Sequence, residues 1–222
     1  MSELQTSKIQ IAINQNTVEK SLAYYFVKRA MDIIGSAIGL VLLSPVFLIL
    51  AILVKLDSKG PVFFSHKRLG YKGKIIKVYK FRSMVINAEE LLSNLTPEQK
   101  KEFEENFKLE NDPRITKMGD FLRRTSLDEL PQLLNILKGE LSIVGPRPVV
   151  EKEIELYGEY ATKFLSVKPG LTGNWQANGR SDTTYDERVQ LDMDYIDNRT
   201  IWMDIAIILK TFIVVFKKEG AR

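Results

Sequence analysis

An uncharged apolar stretch of 22 residues, IIGSAIGLVLLSPVFLILAILV at positions 33–54, constrains this chain more than any other feature. A straight helix of that length covers roughly 33 Å, about the hydrocarbon thickness of a bilayer. A secretory signal peptide does not fit, because the preceding residues 1–32 are largely polar and LDSKGP follows where a cleavage site would need small residues. A buried core helix is the alternative, but such helices rarely reach this length without a charge. The stretch therefore predicts a membrane-embedded helix.

Two details of this stretch bear on its topology. Ser44-Pro45 lies at the midpoint, where proline removes a helical N–H and clashes with the carbonyl four residues earlier, so a kink is predicted. Basic residues flank both ends: Lys28 and Arg29 precede the stretch, and 55–82 holds nine Lys and Arg against Asp57 alone. Since neither positive flank favours translocation, a re-entrant helix is slightly favoured over an ordinary spanning helix.

A second, shorter apolar stretch lies near the C-terminus, IWMDIAIILKTFIVVF at 201–216. Asp204 and Lys210 interrupt it, while its apolar residues recur at helical spacing and Trp202 is typical of an interface. An amphipathic helix lying in the plane of the membrane interface fits best. An internal core helix is the alternative.

The remaining sequence predicts many short helices and one β element. Residues 61–82 alternate β-branched and aromatic residues around GYKG, which predicts a β-hairpin whose lysines mostly form a surface facing solvent or lipid phosphates. The predicted fold class is therefore α+β and mainly helical, with a small β-hairpin. Further predicted elements are a helix from Ala88, a helix capped by Thr96, a helix at 126–138 ended by Gly139, a stiff turn at 145–148, a helix at 149–166 and a helix capped by Thr184 with Glu187.

Composition limits the available chemistry. The chain has no cysteine and a single histidine, His66, so disulfides, thiolate metal sites, multi-histidine sites and a cysteine nucleophile are excluded, and a Ser-His-Asp triad is hard to build. Any catalysis must use carboxylates, hydroxyls, lysines and arginines. The net charge of +4 fits nucleic acid, anionic lipid or a phosphorylated substrate equally well.

The segment RRTSLDELP, at 123–131, holds the strongest candidates for catalytic residues. One interpretation is structural, with Ser126 and Glu129 forming a capping box at a helix start. The other is functional: Asp128 and Glu129 supply a nucleophile and ligands for a hard cation, provided that the backbone is irregular enough to turn both carboxylates to one site. Pro131 gives a reason for irregularity. The upstream arginines and Arg147 are suited to binding a diphosphate.

Three segments together resemble a known family. They are LSPVFLILAILVKLDSKGPVFFSHKRLGYKGKIIKVYKFRSM at 43–84, DPRITKMGDFLRRTSLDELPQLLNILKGELSIVGPRP at 112–148 and KPGLTGNWQANGR at 168–180. In this order they are similar to the bacterial sugar transferases, the monotopic phosphoglycosyl transferases of polysaccharide and glycoconjugate assembly. The resemblance covers roughly residues 24 to 216.

The resemblance implies a specific reaction. Such enzymes transfer a sugar 1-phosphate from a nucleotide sugar, usually a UDP-sugar, to polyprenol (undecaprenyl) phosphate and release UMP, at the cytoplasmic face of the bacterial cell membrane. Asp128 is the implied nucleophile, forming a covalent aspartyl-phosphosugar, and Asp128 and Glu129 are the implied Mg²⁺ ligands. The family's re-entrant helix, bent at a Ser-Pro pair, falls on Ser44-Pro45, so the resemblance implies a monotopic membrane protein with a re-entrant N-terminal helix and interfacial amphipathic helices. The implied divisions are a polar N-terminal segment 1–23, a re-entrant membrane helix 24–56 and a cytoplasmic catalytic domain 57–222 with an interfacial C-terminal helix. The implied substrate-binding residues are Arg123, Arg147, Lys80, Arg82 and Arg180.

Other classes of protein explain less of the sequence. A CDP-alcohol-type lipid phosphotransferase needs a multi-pass helical body and an aspartate-rich repeat, and neither is present. A membrane-bound scaffold using the basic hairpin on anionic lipid explains residues 33–82 but not the dyad or the arginines. Nucleic acid is not expected as a partner, because the basic residues cluster beside the membrane segment. The transferred sugar, the glycan pathway and the residues that contact the nucleobase are not specified by the sequence, and the oligomeric state is left open, a homo-oligomer being one option.

Overall fold

The computed structural model describes residues 19–106, 109, 111–179 and 183–217, which form a mostly helical body with two small sheets. The predicted mainly helical fold with a small hairpin is confirmed. The helices are α1 (Leu22–Leu42), α2 (Ser44–Asp57), α3 (Ala88–Ser93), α4 (Pro97–Asn106), α5 (Lys117–Thr125), α6 (Gln132–Lys138), α7 (Ala161–Phe164), α8 (Asn174–Asn178), α9 (Tyr185–Asn198) and α10 (Ile201–Lys217). The strands are β1 (Phe63–Leu69) and β2 (Ile75–Phe81), which are antiparallel, and β3 (Ser142–Val144) and β4 (Gly170–Thr172), which are parallel.

The apolar N-terminal stretch is broken where the sequence predicts. Helix α1 ends at Leu42, α2 begins at Ser44, and their axes are bent by 62°. The Ser44 hydroxyl donates to the carbonyl of Val41 (2.8 Å), so it pairs one of the backbone groups freed at the break. Among the described helices none is by itself both long and apolar enough to cross a bilayer, whereas α1 and α2 taken together meet that requirement in length and composition.

Helix α1 begins well before the apolar stretch and binds the rest of the protein through charged side chains. Arg29 donates to two backbone carbonyls at the end of α6 (2.7 and 2.8 Å). Asp32 accepts from the Ser142 hydroxyl (3.0 Å) and from a backbone N–H of β3 (2.8 Å). The Lys28 ammonium lies 2.7 Å from Asp204 of α10. Lys28 and Arg29 are therefore paired within the protein, so the prediction of topology from free positive charges at both flanks does not apply to these two residues.

The outer faces of three helices are apolar and exposed. In α10, Asp204 and Ile207 are buried against the body while Trp202 is 81% exposed, so the alternative of an internal core helix is wrong. Helix α10 is amphipathic, as predicted. The exposed apolar residues include Leu22, Phe26, Ile34, Ile38 and Val41 in α1, Leu48, Ile49, Ile52 and Leu56 in α2, and Trp202, Leu209, Phe212 and Ile213 in α10.

Two further elements differ from the sequence prediction. The helix predicted at 149–166 is mostly a 3₁₀ segment, Glu153–Tyr160, followed by the short α7. Gly158, at φ +50°, interrupts it because this backbone conformation does not continue a right-handed helix. The β3–β4 pair was not predicted; each strand has three residues, too few for a recognisable alternation.

Candidate active site

Asp128 and Glu129 lie in a 3₁₀ turn, Leu127–Glu129, between α5 and α6. The continuous helix predicted at 126–138 is wrong, and so is its Ser126–Glu129 capping box. Ser126 takes a left-handed conformation (φ +57°), its side chain makes no capping hydrogen bond, and α6 begins only after Pro131. The backbone here is irregular, as the functional interpretation of the dyad requires.

This irregular turn brings the two carboxylates to one cation. The Lys80 ammonium lies 3.3 Å from Asp128 Oδ2 and 2.7 Å from Glu129 Oε1. The same Glu129 oxygen accepts a hydrogen bond from Arg147 (3.0 Å). On a regular helix adjacent side chains point about 100° apart, so this convergence depends on the turn. The structure thus brings together four of the predicted residues: Asp128, Glu129, Lys80 and Arg147.

Lys80 is held in place by the contact between β2 and α6. Asn135, fully buried on α6, accepts from the Tyr79 N–H (3.0 Å) and donates to the carbonyl of Lys77 (2.7 Å). Both hydrogen bonds go to backbone groups of β2 that flank Val78, close to Lys80 in the same strand. Because α6 directly follows the dyad, the strand carrying the lysine and the turn carrying the carboxylates are held in register.

Arg147 belongs to the Gly-Pro-Arg-Pro turn, which packs tightly against the loop around β4. Gly145 donates to the carbonyl of Thr172, and Gly170 donates to that of Pro146, both at 2.9 Å. A Cβ on Gly145 would lie 2.5 Å from the Lys168 carbonyl oxygen, closer than atoms can approach. Glycine is therefore required here, and the close contact of the two loops fixes the position of Arg147.

Arg123 lies in the last turn of α5, and its Nε donates to the Ser83 hydroxyl (3.0 Å). Its terminal amino groups make no hydrogen bond within the described residues, and Asp128 is among its electrostatic neighbours. Helix α5 approaches the chain after β2 so closely that a Cβ on Gly119 would lie 2.0 Å from the Ser83 carbonyl oxygen. The guanidinium is thus anchored on one side and open on the other.

The last two predicted residues are not brought to the dyad. Arg82 is buried, and its guanidinium donates to the carbonyls of Pro61 (2.6 Å), Ser58 (2.8 Å) and Val54 (3.1 Å), and to the Ser58 hydroxyl. It therefore pairs the free carbonyls at the C-terminal end of α2. Its predicted part in substrate binding stays a prediction. Arg180 lies outside the described residues.

One basic residue at the site was missed from the sequence. Arg68 pairs with Glu153 (2.9 Å) and has Arg147 and Glu129 as electrostatic neighbours. Strand alternation carries the signal that could have found it, because Phe64 is paired with Lys80 and residues 64, 66 and 68 share one face of β1. The dyad is thus surrounded by four cations, Lys80, Arg68, Arg123 and Arg147, and Glu153 partly offsets their charge.

The surroundings shift the pKa values of Asp128 and Glu129 in opposite directions. Burial raises the pKa of Asp128, the charge of Glu129 adds to the rise, and Lys80 and Arg123 oppose it. Burial also acts to raise the pKa of Glu129, but the charges of Arg147 and Lys80 outweigh it and hold that pKa well below its usual range. The Glu129 carboxylate in turn raises the pKa of Arg147. Glu129 is therefore the firmly ionised member of the pair.

The donor set fits a hard divalent cation. Both carboxylates already converge on one positive group, the Lys80 ammonium, and Mg²⁺ is commonly bound by one or two carboxylates together with substrate phosphates. No cluster of three or more His, Asp or Glu side chains suited to a metal occurs among the described residues. Asp128 and Glu129 would therefore hold such an ion jointly with the substrate.

Comparison with known proteins shows the family of this chain. Residues 23–218 match the family model described as bacterial sugar transferase, and the chain belongs to that family. It is 46% identical over 224 aligned positions to undecaprenyl-phosphate galactose phosphotransferase of Salmonella typhimurium, covering all of this chain and 47% of that protein.

Two further relatives differ in how much of their length is matched. Exopolysaccharide production protein ExoY of Rhizobium meliloti is 45% identical over 197 positions, covering 87% of each chain. UDP-glucose:undecaprenyl-phosphate glucose-1-phosphate transferase of Escherichia coli is 44% identical over 199 positions, covering 86% of this chain and 39% of that protein. The chain thus spans about half the length of several curated relatives that it matches and most of the length of another.

Proposed function

We propose that this protein transfers a sugar 1-phosphate from a UDP-sugar to polyprenyl phosphate, with release of UMP, as an early membrane step in the assembly of a polysaccharide or glycoconjugate. The observation that carries the proposal is the convergence of two adjacent, largely buried carboxylates on one cation among four basic side chains. Family membership and the printed names of the relatives support the choice of a nucleotide sugar and a lipid phosphate as substrates.

In the first step an oxygen of Asp128 attacks the phosphorus that carries the sugar. A bond forms between that oxygen and phosphorus, and the bond from phosphorus to the UMP oxygen breaks, so that UMP leaves with the electron pair. Covalent catalysis divides one transfer between a soluble and a lipid substrate into two easier displacements. Arg123 and Arg147 are placed to neutralise charge on the transferring and departing phosphates.

In the second step a phosphate oxygen of the polyprenyl phosphate attacks the same phosphorus. The bond to Asp128 breaks, its carboxylate is regenerated, and the sugar diphosphate-linked lipid leaves. Bound Mg²⁺ supplies Lewis-acid neutralisation of phosphate oxygens, and Asp128 and Glu129 are the residues that would hold it. Lys80, between the two carboxylates, keeps them oriented and adds positive charge where the substrate phosphates bind.

The exposed apolar faces of α1, α2 and α10 support a membrane-bound position for this site. In the proposed arrangement α1 and α2 form a re-entrant hairpin that enters and leaves at the cytoplasmic face, and α10 lies along the interface. The 62° bend and the lack, among the described helices, of a single helix able to cross a bilayer support this arrangement. The active site then lies at headgroup depth, where the phosphate of a prenyl lipid is found.

The proposed reaction is tested by UMP release and by trapping of the adduct. Asp128→Asn should abolish UMP release from a UDP-sugar with Mg²⁺ and prenyl phosphate, because an amide does not form the acyl phosphate link. The wild-type protein, given donor alone, should gain the mass of a sugar phosphate, and the variant should not. The matched control is Asp120→Asn, an exposed acid on α5 that pairs with Arg124. Near-normal UMP release by Asp128→Asn would contradict the covalent mechanism.

A screen of UDP-sugars by UMP release identifies the donor.

A further inference from the structure

One face of the hairpin extends the candidate active site beyond its charged residues. Phe64 stands directly across the strand pair from Lys80, and His66 is the next residue on that face, followed by Arg68. The face therefore carries two aromatic rings in succession with a cation beside each end, Lys80 in contact with the dyad and Arg68 beside Arg147.

The two rings are available to a ligand. Phe64 is 53% exposed, and His66 is also exposed. Their ring centroids are 6.2 Å apart with planes inclined by 35°, so the rings form a shallow aromatic surface. By contrast Phe63, on the opposite face of the strand, packs against Phe81 with a centroid distance of 5.1 Å. The Phe64–His66 pair is thus not explained by packing of the hairpin.

His66 adds no positive charge to this surface at neutral pH. Partial burial lowers the pKa of His66, and the charges of Arg68 and Lys80 lower it further, so the imidazole is neutral at neutral pH. A neutral imidazole has one N–H donor and one nitrogen acceptor. Such a ring complements the donor and acceptor edge of a nucleobase, which is planar and uncharged.

We propose that Phe64 and His66 form the surface on which the nucleobase of the nucleotide-sugar donor stacks while its diphosphate is bound by the neighbouring cations. The inference rests on the proposed function, because it assigns a position to one part of that donor. A base attached to a diphosphate by a ribose lies close to its phosphates, and exposed aromatic rings beside phosphate-binding cations are the usual partners of such bases.

The test separates the base from the phosphates by calorimetric titration with two ligands. UDP and inorganic pyrophosphate, each with Mg²⁺, are titrated into the purified full chain and into Phe64→Leu and His66→Ala variants. Phe64→Leu keeps an apolar side chain but removes the aromatic plane. The matched control is Tyr71→Leu, because Tyr71 is a partly exposed aromatic residue at the turn of the same hairpin. Melting temperatures confirm that the variants are folded.

Phe64→Leu should lower the affinity for UDP by about five- to a hundredfold, the usual effect of losing one stacked ring, with pyrophosphate affinity unchanged. His66→Ala should act in the same direction, and Tyr71→Leu should change neither affinity. Equal losses for UDP and pyrophosphate would overturn the inference. An unchanged UDP affinity would overturn it too; weaker binding of the UDP-sugar would then indicate a sugar contact, and weaker binding to vesicles a lipid contact. Wild-type protein that binds no UDP would overturn the proposed function as well.

Discussion

At the scale of single residues, the role of each arginine near the candidate site depends on whether its guanidinium donors are already paired within the described residues. Arg82 follows the end of β2 and Arg123 lies in the last turn of α5. The guanidinium of Arg82 donates to carbonyls at and just after the end of α2, whereas the terminal amino groups of Arg123 make no hydrogen bond within the described residues and Asp128 is among its electrostatic neighbours. A guanidinium that is bound through Nε and has both terminal amino groups available is suited to bind a phosphate bidentately. Burial lowers the pKa of Arg123, which remains charged at any working pH.

Replacement of Arg123 tests this role against a neighbour on the same helix. Arg123→Lys should lower kcat/KM for the UDP-sugar by about ten- to a hundredfold, because an ammonium does not reproduce the two-pronged contact. Arg124→Lys is the matched control, since Arg124 is 60% exposed and pairs with Asp120 on the surface. Kinetics and melting temperatures are measured together. A loss of activity that merely follows a large fall in melting temperature would make Arg123 a structural residue.

A second residue-scale prediction concerns the buried Asp192 in α9. Burial raises its pKa to about 7, against a hydrogen bond from Tyr157 that lowers it. Because the unfolded pKa is about 3.9, the folded state holds the proton more tightly, and this group's contribution to stability falls as the pH rises from about 4 to 7. Asp192→Asn removes the titration.

The melting temperature of Asp192→Asn, relative to wild type, should therefore rise between pH 5 and pH 8. Asp186→Asn, at an exposed position of the same helix, controls for the loss of a carboxylate. A difference from wild type that is the same at both pH values would show that Asp192 does not gain a proton on folding.

At the scale of elements, the break between α1 and α2 has the largest consequence. Proline at the second position of α2 has no N–H to satisfy, and the Ser44 hydroxyl pairs with a carbonyl of α1, so the chain changes direction without leaving these groups unpaired. Without that break, the two helices would form one continuous apolar helix.

Straightening the break should change the topology of the chain. Ser44→Ala with Pro45→Leu restores an uninterrupted apolar stretch of about 22 residues, long enough to span the bilayer. Since the sequence has no cysteine, Gln5→Cys provides one labelling position for an impermeant thiol reagent applied to intact cells. The cysteine should be protected in the otherwise native sequence and labelled in the straightened variant. Labelling in the native background would refute the re-entrant arrangement.

At the scale of the whole molecule, the first and last described helices are joined by a buried polar network. Asp204 of α10, 1% exposed, is bound by the Lys28 ammonium of α1 (2.7 Å) and the Tyr195 hydroxyl of α9 (2.7 Å). Lys28 also donates to Tyr195 (3.1 Å). The bent helix pair is therefore fastened to the C-terminal helix by groups about 170 residues apart in sequence, which fixes how the apolar faces of both are presented.

Removing one partner of the Lys28–Asp204 ion pair should destabilise the protein more than removing both partners. Lys28→Met leaves Asp204 buried without its cation and should lower the free energy of unfolding by about 3 to 5 kcal/mol. The double variant with Asp204→Leu should regain much of that loss, because no unpaired charge remains. Unfolding of wild type, both single variants and the double variant measures the coupling. Additive losses would mean that the ion pair does not join α1 to α10.

Features that depend on neighbouring residues could be predicted from the sequence. The Thr96 and Thr184 caps, the left-handed Gly139 after α6, the hairpin turn and the break at Ser44-Pro45 all follow from local sterics and hydrogen bonding. The identity of the family likewise followed from motifs in order, and the comparison confirmed it. Asp128 and Glu129 were recognised as a pair because they are adjacent.

The tertiary structure alone decided how those residues are used. The same local pattern at Ser126 and Glu129 permitted a capping box, but Lys80 and Arg147, distant in sequence, take the Glu129 carboxylate instead. Lys80, in β2, and Arg82, just after β2, are two residues apart, yet Lys80 contacts the dyad and Arg82 the end of α2. A sequence determines which contacts a side chain is able to make, but the partner is selected by which elements pack beside it, because burial penalises every charge left unpaired.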